Sequence, residues 1–134
     1  MKIQNLEELD TPCLILDKSL LEKNCFKARK KCLELNTILR PHLKTPKSIE
    51  IAKIALDNQE GPITVSTLNE AEYFASAGFK DILYAVCIIP KKLKRLNFIQ
   101  QKYSCIIRIV IDSTYVAQEI QNYSKLHNAN FEIL

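Results

Sequence analysis

The chain has 134 residues, of which 47% are hydrophobic and 25% charged, with a formal net charge of +4. This length and balance are typical of one soluble globular domain. The longest apolar run, residues 82–89, is far shorter than the roughly 20 residues of a membrane-spanning helix, and the first ten residues carry four charges around no apolar core. We therefore expect no membrane partner, no secretion signal and a cytoplasmic location.

Five cysteines occur in the chain. Their number is odd, none forms a short metal-binding or redox spacing, and each has apolar neighbours. The pattern predicts buried free thiols and no metal site. The cysteines are Cys13, Cys25, Cys32, Cys87 and Cys105.

The first predicted element is an amphipathic helix that Asp17 or Ser19 can cap. Its apolar positions follow helical spacing. They are Leu21, Cys25, Ala28, Cys32 and Leu35. The next segment, "NTILRPHLK" at 36–44, predicts a strand that ends near Lys44. Thr45 and Pro46 resemble an N-cap and a first helical residue, which predicts a helix from Pro46 to about Asn58.

The strand and helix then repeat along the chain. "PITVS", "DILYAV", "SCIIRIVID" and "NFEIL" predict four further strands. Thr67 and Glu70 form a capping box, which fully explains both residues, and Gly78 ends the helix that follows. Another helix opens at Pro90, and Asp112 or Ser113 caps the last one.

A basic cluster occurs in the helix after Pro90 and can be interpreted in two ways. It consists of Lys91, Lys92, Lys94 and Arg95. It could form a nucleic-acid patch, but Leu93, Leu96 and Ile99 run through it at helical spacing, which favours a solvated helix face. We expect no nucleic-acid partner. Asp112 and Ser113 could touch a cofactor or substrate, although a plain helix cap is favoured.

Alternating strands and helices without a hairpin predict a parallel α/β sheet. The repeat of roughly 25 residues matches the first half, about five β/α units, of a (β/α)8 TIM barrel. A Rossmann-like sheet fits the alternation too, but Gly61 and Gly78 are the only glycines, so no Gly-rich phosphate loop is possible. The predicted organisation is one partial barrel domain, 1–134, with an N-terminal segment and helix at 1–36 and the strands and helices at 37–134.

Lys44 stands at the strand end where an α/β barrel binds its ligands. Side chains alternate along a strand, so Arg40, His42 and Lys44 share one face. A partly desolvated lysine beside other cations can become a nucleophilic amine that forms a Schiff base with an aldehyde. The alternative is a solvated strand-end lysine, which the pattern by itself favours.

Three segments carry a resemblance to a known family: "LDTPCLILDKSLLEKN", "RPHLKTPKSIEIAKIAL" and "PITVSTLNEAEYFASAGFKDILYAV". Together they resemble the N-terminal part of the fold-type III pyridoxal-phosphate (PLP) enzymes. The similar branch is that of D-threonine aldolase and D-serine dehydratase, with an alanine racemase N-terminal domain. The resemblance implies that Lys44 carries PLP and that His42, Arg40 and Thr45 contribute to binding it. Pro46 and Cys87 depart from the residues that are common in the family.

The resemblance further implies a PLP-dependent lyase or isomerase acting on D-amino acids by aldol cleavage, dehydration or racemisation. The chains of this family are much longer. The phosphate cup and any divalent-metal ligands are therefore expected outside these 134 residues. The alternatives are a PLP-binding homeostasis protein without turnover and an inactive remnant. Half a barrel leaves open sheet edges, so we expect a homo-oligomer such as a dimer, or aggregation.

Overall fold

The computed structural model describes residues 5–134. Within them the helices are α1 (Lys18–Glu34), α2 (Ile49–Leu56), α3 (Leu68–Ser76), α4 (Leu93–Tyr103) and α5 (Thr114–His127). The strands are β1 (Ile63–Val65), β2 (Asp81–Cys87) and β3 (Ile106–Val110). Short 3-10 turns occupy Leu6–Glu8 and Pro90–Lys92. None of these helices is long and apolar enough to cross a membrane.

The three strands form a parallel sheet in the order β1-β2-β3, with Ile63 beside Ile82 and Ile82 beside Ile107. Single parallel bridges extend the sheet on both sides, from His42 to Thr64 and from Ile109 to Ile133. Every neighbour in the sheet is thus a neighbour in the chain. This sequential order is that of a barrel, whereas a Rossmann-type sheet reverses its order at the centre. The predicted parallel α/β architecture is confirmed.

The predicted first strand is wrong in extent, because 36–44 forms only the bridge at His42. There the Leu43 N–H donates to the Thr64 carbonyl at 2.8 Å, and the Thr64 N–H donates to the Pro41 carbonyl at 2.9 Å. Pro41 has no N–H to continue the ladder, which explains the short pairing. The predicted fifth strand is likewise reduced to its bridge at Ile133.

The core lies between one face of the sheet and helices α3, α4 and α5. Alternation along β2 sends Ile82 and Tyr84 into this core, while Leu83 between them is only half-buried. The helices contribute apolar side chains that are fully or nearly fully buried: Phe74, Leu93, Leu96, Ile99, Val116 and Ile120. The inward orientation of Leu93, Leu96 and Ile99 agrees with their helical spacing, and the basic cluster is exposed except for the half-buried Lys92.

Two local predictions are confirmed, and one helix begins later than expected. Thr67 caps α3 by accepting the Glu70 N–H at 3.1 Å, and Gly78 follows the helix with φ +98°. The second helix begins at Ile49 rather than Pro46, because its N-cap is Ser48 and Thr45 lies in a turn.

Helix α1 and the cysteines are more exposed than their sequence pattern indicates. Asp17 caps α1 as predicted, but no residue of α1 is buried. Arg29 joins α1 to the end of α2 by donating to the carbonyls of Ile54 at 2.7 Å and Ala55 at 3.2 Å. Among the cysteines only Cys105 is buried, so the prediction of five buried thiols is wrong. Apolar neighbours along the chain do not bury a side chain unless another element packs over it.

Candidate functional site

Lys44 lies in the turn that follows the His42 bridge, at the carboxyl edge of the sheet. The Lys47 N–H closes this turn by donating to the Leu43 carbonyl at 3.0 Å, and the Leu43 side chain anchors it in the core. The Lys44 side chain is exposed. Within residues 5–134 no carboxylate lies within 4 Å of its amine, as is true of most lysines there, whereas Lys47 on the same turn has such a partner. The turn therefore presents a primary amine that no acidic group occupies.

His42 holds the turn that carries Lys44 through a hydrogen bond to the Lys44 backbone. Its Nδ1 accepts the Lys44 backbone N–H at 3.3 Å, and its Nε2 lies 3.4 Å from the Ser66 hydroxyl. Burial and the charge of Lys44 lower the pKa of His42, and the opposing effect of Glu70 is smaller. The imidazole is therefore neutral at pH 7. Because Nδ1 accepts a hydrogen bond, Nε2 carries the hydrogen, so His42 cannot serve as a general base toward Ser66.

Glu70 joins three parts of this edge. Its Oε2 accepts the Ser66 N–H at 2.8 Å, its Oε1 lies 3.4 Å from the Lys47 ammonium, and the carboxylate is buried. Burial acts to raise the pKa of Glu70, but the contacts from Ser66, Lys47 and Thr67 together outweigh it and lower that pKa. Capping alone therefore does not explain Glu70, contrary to the sequence analysis. The box motif could have marked the residue, but nothing in the sequence pairs it with Lys47.

Arg40 points to the other end of the sheet. Its guanidinium lies 2.7 Å from the Asp81 carboxylate and donates to the Ile63 carbonyl at 3.2 Å. Asp81 also binds Arg108, whose Nε lies 2.9 Å from Glu132. These four residues, here called the charged ladder, cross the sheet on the face that α3–α5 leave uncovered. A role for Arg40 in cofactor binding stays a prediction, and so does one for Thr45, which is exposed on the turn.

The other predicted residues at this edge have simpler surroundings. Ser113 caps α5 by accepting the Val116 N–H at 3.3 Å, and Asp112 beside it is exposed. Cys87 ends β2 and is exposed. No cluster of three His, Cys, Asp or Glu side chains that could hold a metal occurs among residues 5–134. A cavity of about 560 Å³ lies between α1, the segment 37–39 and the end of α2, and Lys44 does not line it.

The surroundings of Lys44 fit the aldehyde end of the cofactor that the sequence resemblance implies. An exposed primary amine without a carboxylate partner is the group that an aldehyde needs. The imidazole of His42 contacts the Lys44 backbone and the Ser66 hydroxyl lies next to that imidazole, so this edge carries groups that can donate or accept hydrogen bonds. The site thus supplies an attachment point and polar partners on an open edge.

The fold and the Lys44 edge together define the class of this chain. It forms the first part of an alanine racemase-like barrel. A crystal structure of an alanine racemase-like protein from Idiomarina loihiensis superposes with a TM-score of 0.89 at 38% identity, over 95% of this chain and 34% of that one. A D-threonine aldolase from Filomicrobium marinum superposes with a TM-score of 0.85 at 24% identity, over 96% of this chain and 35% of that one, which supports the fold alone.

Two characterised proteins are similar to this chain in sequence. The chain is 34% identical over 125 residues to D-threo-3-hydroxyaspartate dehydratase from a Delftia strain, covering 93% of this chain and 33% of the relative. It is 41% identical over 95 residues to D-serine dehydratase from Dictyostelium discoideum, covering 67% of this chain and 24% of the relative. No protein-family model matches it. The chain spans about a third or less of the length of these curated relatives.

The resemblance inferred from the three sequence segments is therefore confirmed. The chain is a relative of D-threo-3-hydroxyaspartate dehydratase and D-serine dehydratase over the N-terminal part of those proteins.

Proposed function

We propose that this chain provides the PLP-bearing part of an enzyme that acts on small D-3-hydroxy amino acids, with Lys44 as the lysine that holds the cofactor. The observation that carries the proposal is the Lys44 turn. Among residues 5–134 no carboxylate lies within 4 Å of the exposed Lys44 amine, which stands on the carboxyl edge of a barrel-type sheet. The chain is 34% identical to a D-threo-3-hydroxyaspartate dehydratase. Residues 37–134 supply the barrel strands and helices of this site.

The residues at the turn have distinct roles in the proposal. Lys44 would hold PLP through its amine, and His42 holds the Lys44 backbone in place by accepting its N–H. When bound there, the cofactor supplies an electron sink for negative charge at the substrate Cα. The Lys44 amine would also be suited to take up or return the proton at that carbon. Thr45 and Arg40 stay candidate binding residues.

Dehydration is the reaction that we favour over aldol cleavage and racemisation, because the relatives at 34% and 41% identity are both named dehydratases. The same observation favours an enzyme over a PLP carrier without turnover. A divalent metal and a homodimer, both expected from the sequence, stay predictions for the protein that contains this segment.

Borohydride trapping tests the proposal. The protein is incubated with PLP, reduced, digested and mapped by mass spectrometry, with Lys44→Ala and the matched variant Lys53→Ala, which removes an exposed lysine of α2. We expect a pyridoxyl adduct at Lys44 that is lost in Lys44→Ala and kept in Lys53→Ala. An adduct spread over many surface lysines, or unchanged total labelling in Lys44→Ala, would refute the assignment.

Turnover is tested separately on the protein that contains this segment, with D-serine, L-serine and D-threonine. Dehydration of D-serine releases pyruvate and ammonia, whereas aldol cleavage of D-threonine releases glycine and acetaldehyde. We expect pyruvate from D-serine and none from L-serine. Acetaldehyde without pyruvate would replace the dehydratase assignment with an aldolase one.

A further inference from the structure

Two lysines on the same turn differ in their partners. Lys44 and Lys47 stand three positions apart, and both side chains are exposed. The Lys47 ammonium lies 3.4 Å from Glu70, whereas Lys44 has no carboxylate within 4 Å among the residues that the structure describes. An aldehyde that reaches this edge meets both amines, so something must direct it to one of them.

Glu70 is held in place for this contact. The Thr67 hydroxyl accepts the Glu70 N–H at 3.1 Å, and the Ser66 N–H donates to Oε2 at 2.8 Å. The carboxylate is therefore fixed at one oxygen by the end of β1 and the first turn of α3. Its other oxygen is left to face Lys47. A carboxylate fixed in this way holds its partner at a smaller cost in side-chain entropy than a free pair does.

The backbone conformation of Lys47 is held in place by contacts with neighbouring residues. Lys47 has φ +44°, in the left-handed region that residues other than glycine enter only at a cost in energy. Its N–H closes the turn on the Leu43 carbonyl at 3.0 Å. The contact with Glu70 ties the side chain of the same residue to α3. The turn that carries Lys44 is thus fastened at Lys47 through both backbone and side chain.

We propose that Glu70 is a positioning residue that directs carbonyl chemistry to Lys44, by engaging the competing Lys47 amine and fastening the turn that carries both. This inference rests on the proposed function, since it concerns which amine holds the cofactor. It assigns Glu70 a role at the site in addition to capping α3. His42 and Lys44 are the other ionisable groups at this turn, and neither is changed in the test.

The test compares Glu70→Gln with the matched variant Glu72→Gln. Glutamine keeps the capping box and an acceptor for the Ser66 N–H, but it loses the charge that engages Lys47. Glu72 lies on the same helix and pairs with Arg95 at 3.2 Å and Lys102 at 3.7 Å, away from the turn. Two labels are mapped by mass spectrometry: reductive methylation with formaldehyde, which needs no cofactor, and PLP with borohydride.

We expect Glu70→Gln to raise the ratio of Lys47 to Lys44 labelling about two- to fivefold, the range that an ion pair with a solvent-exposed lysine supports. Glu72→Gln should leave the ratio unchanged, although it removes two ion pairs of α3 and Glu70→Gln removes one. A general loss of stability would instead raise labelling at many lysines in both variants.

A second measurement uses the unsubstituted protein and does not depend on the folding of a variant. Salt at about 1 M screens an exposed pair, so the ratio should rise with salt in the unsubstituted protein and stay flat in Glu70→Gln. If PLP labels Lys44 and neither the variant nor salt changes the ratio, Glu70 does not direct the chemistry and this inference fails. If PLP does not label Lys44 in the unsubstituted protein, the proposed function fails and this inference fails with it.

Discussion

Replacing Asp81 with asparagine removes the charge at the centre of the charged ladder. Asp81 is the carboxylate that both Arg40 and Arg108 contact, and Arg108 keeps Glu132 as a second partner. Asparagine has nearly the same shape and keeps one acceptor oxygen. The substitution therefore tests the charge of Asp81 rather than its size.

The expected loss in the free energy of unfolding follows from how deeply the charged ladder is buried. The side chains of Asp81, Arg40 and Arg108 are 35%, 26% and 21% exposed, between the surface and the interior. Exposed pairs contribute about 0–1 kcal/mol, and breaking a buried pair costs about 3–5 kcal/mol. We expect Asp81→Asn to lower the free energy of unfolding by about 2 kcal/mol. For a chain of this length that lowers Tm by about 7 °C.

The effect should depend on pH in a defined direction. Burial acts to raise the pKa of Asp81, but the hydrogen bonds and charges of Arg40 and Arg108 together outweigh it, so the pKa is lowered on folding. A lowered pKa gives stability that is present above the unfolded value of about 3.9 and is lost as pH falls through the folded value. The difference in stability between the two proteins should therefore be largest near pH 7 and shrink below about pH 4.

Urea unfolding followed by circular dichroism at pH 7 and pH 3 measures this difference. The matched control is Glu22→Gln, which breaks the exposed pair with Lys18 and should change the free energy of unfolding by less than about 0.5 kcal/mol. If Asp81→Asn is no more destabilising than this control at pH 7, the ladder contributes nothing beyond surface charge and the reasoning is wrong.

Three further predictions concern single residues. The pKa of the His42 ring, measured by NMR, should lie below its ordinary value of 6.5. The stability that depends on a neutral His42 is therefore lost as pH falls below 6.5. A measured pKa of 6.5 or higher would contradict the burial argument. In urea unfolding, Gly61→Ala should lower the free energy of unfolding by about 1 kcal/mol more than Gly78→Ala. Both glycines have positive φ, but only at Gly61 would an added Cβ lie 3.0 Å from a backbone oxygen. Gln100→Leu should lower the free energy of unfolding by about 1–3 kcal/mol in the same assay, because the Gln100 side chain accepts an N–H of β3 at 2.8 Å. Gln101→Leu, at an exposed neighbouring position, should change it little. Equal effects of the two substitutions would refute this role of Gln100.

Much of the fold and part of the site follow from local features of the sequence. The Thr67 cap, the Gly78 helix end and the inward side of α4 each depend on residues within a few positions of one another. Capping and periodicity act over that distance, so the alternating parallel architecture was predictable. Lys44 was predicted at the end of a strand, and it lies in the turn that follows a single bridge.

Tertiary structure alone decided which distant residues meet. Asp81 lies 41 positions from Arg40, and Glu70 lies 23 positions from Lys47, yet each pair is in contact. It also reduced the strand predicted at 36–44 to a single bridge and left most of the cysteines outside the core. The physical reason is that ion pairing and burial depend on which elements pack together, and no local pattern in the sequence carries that information.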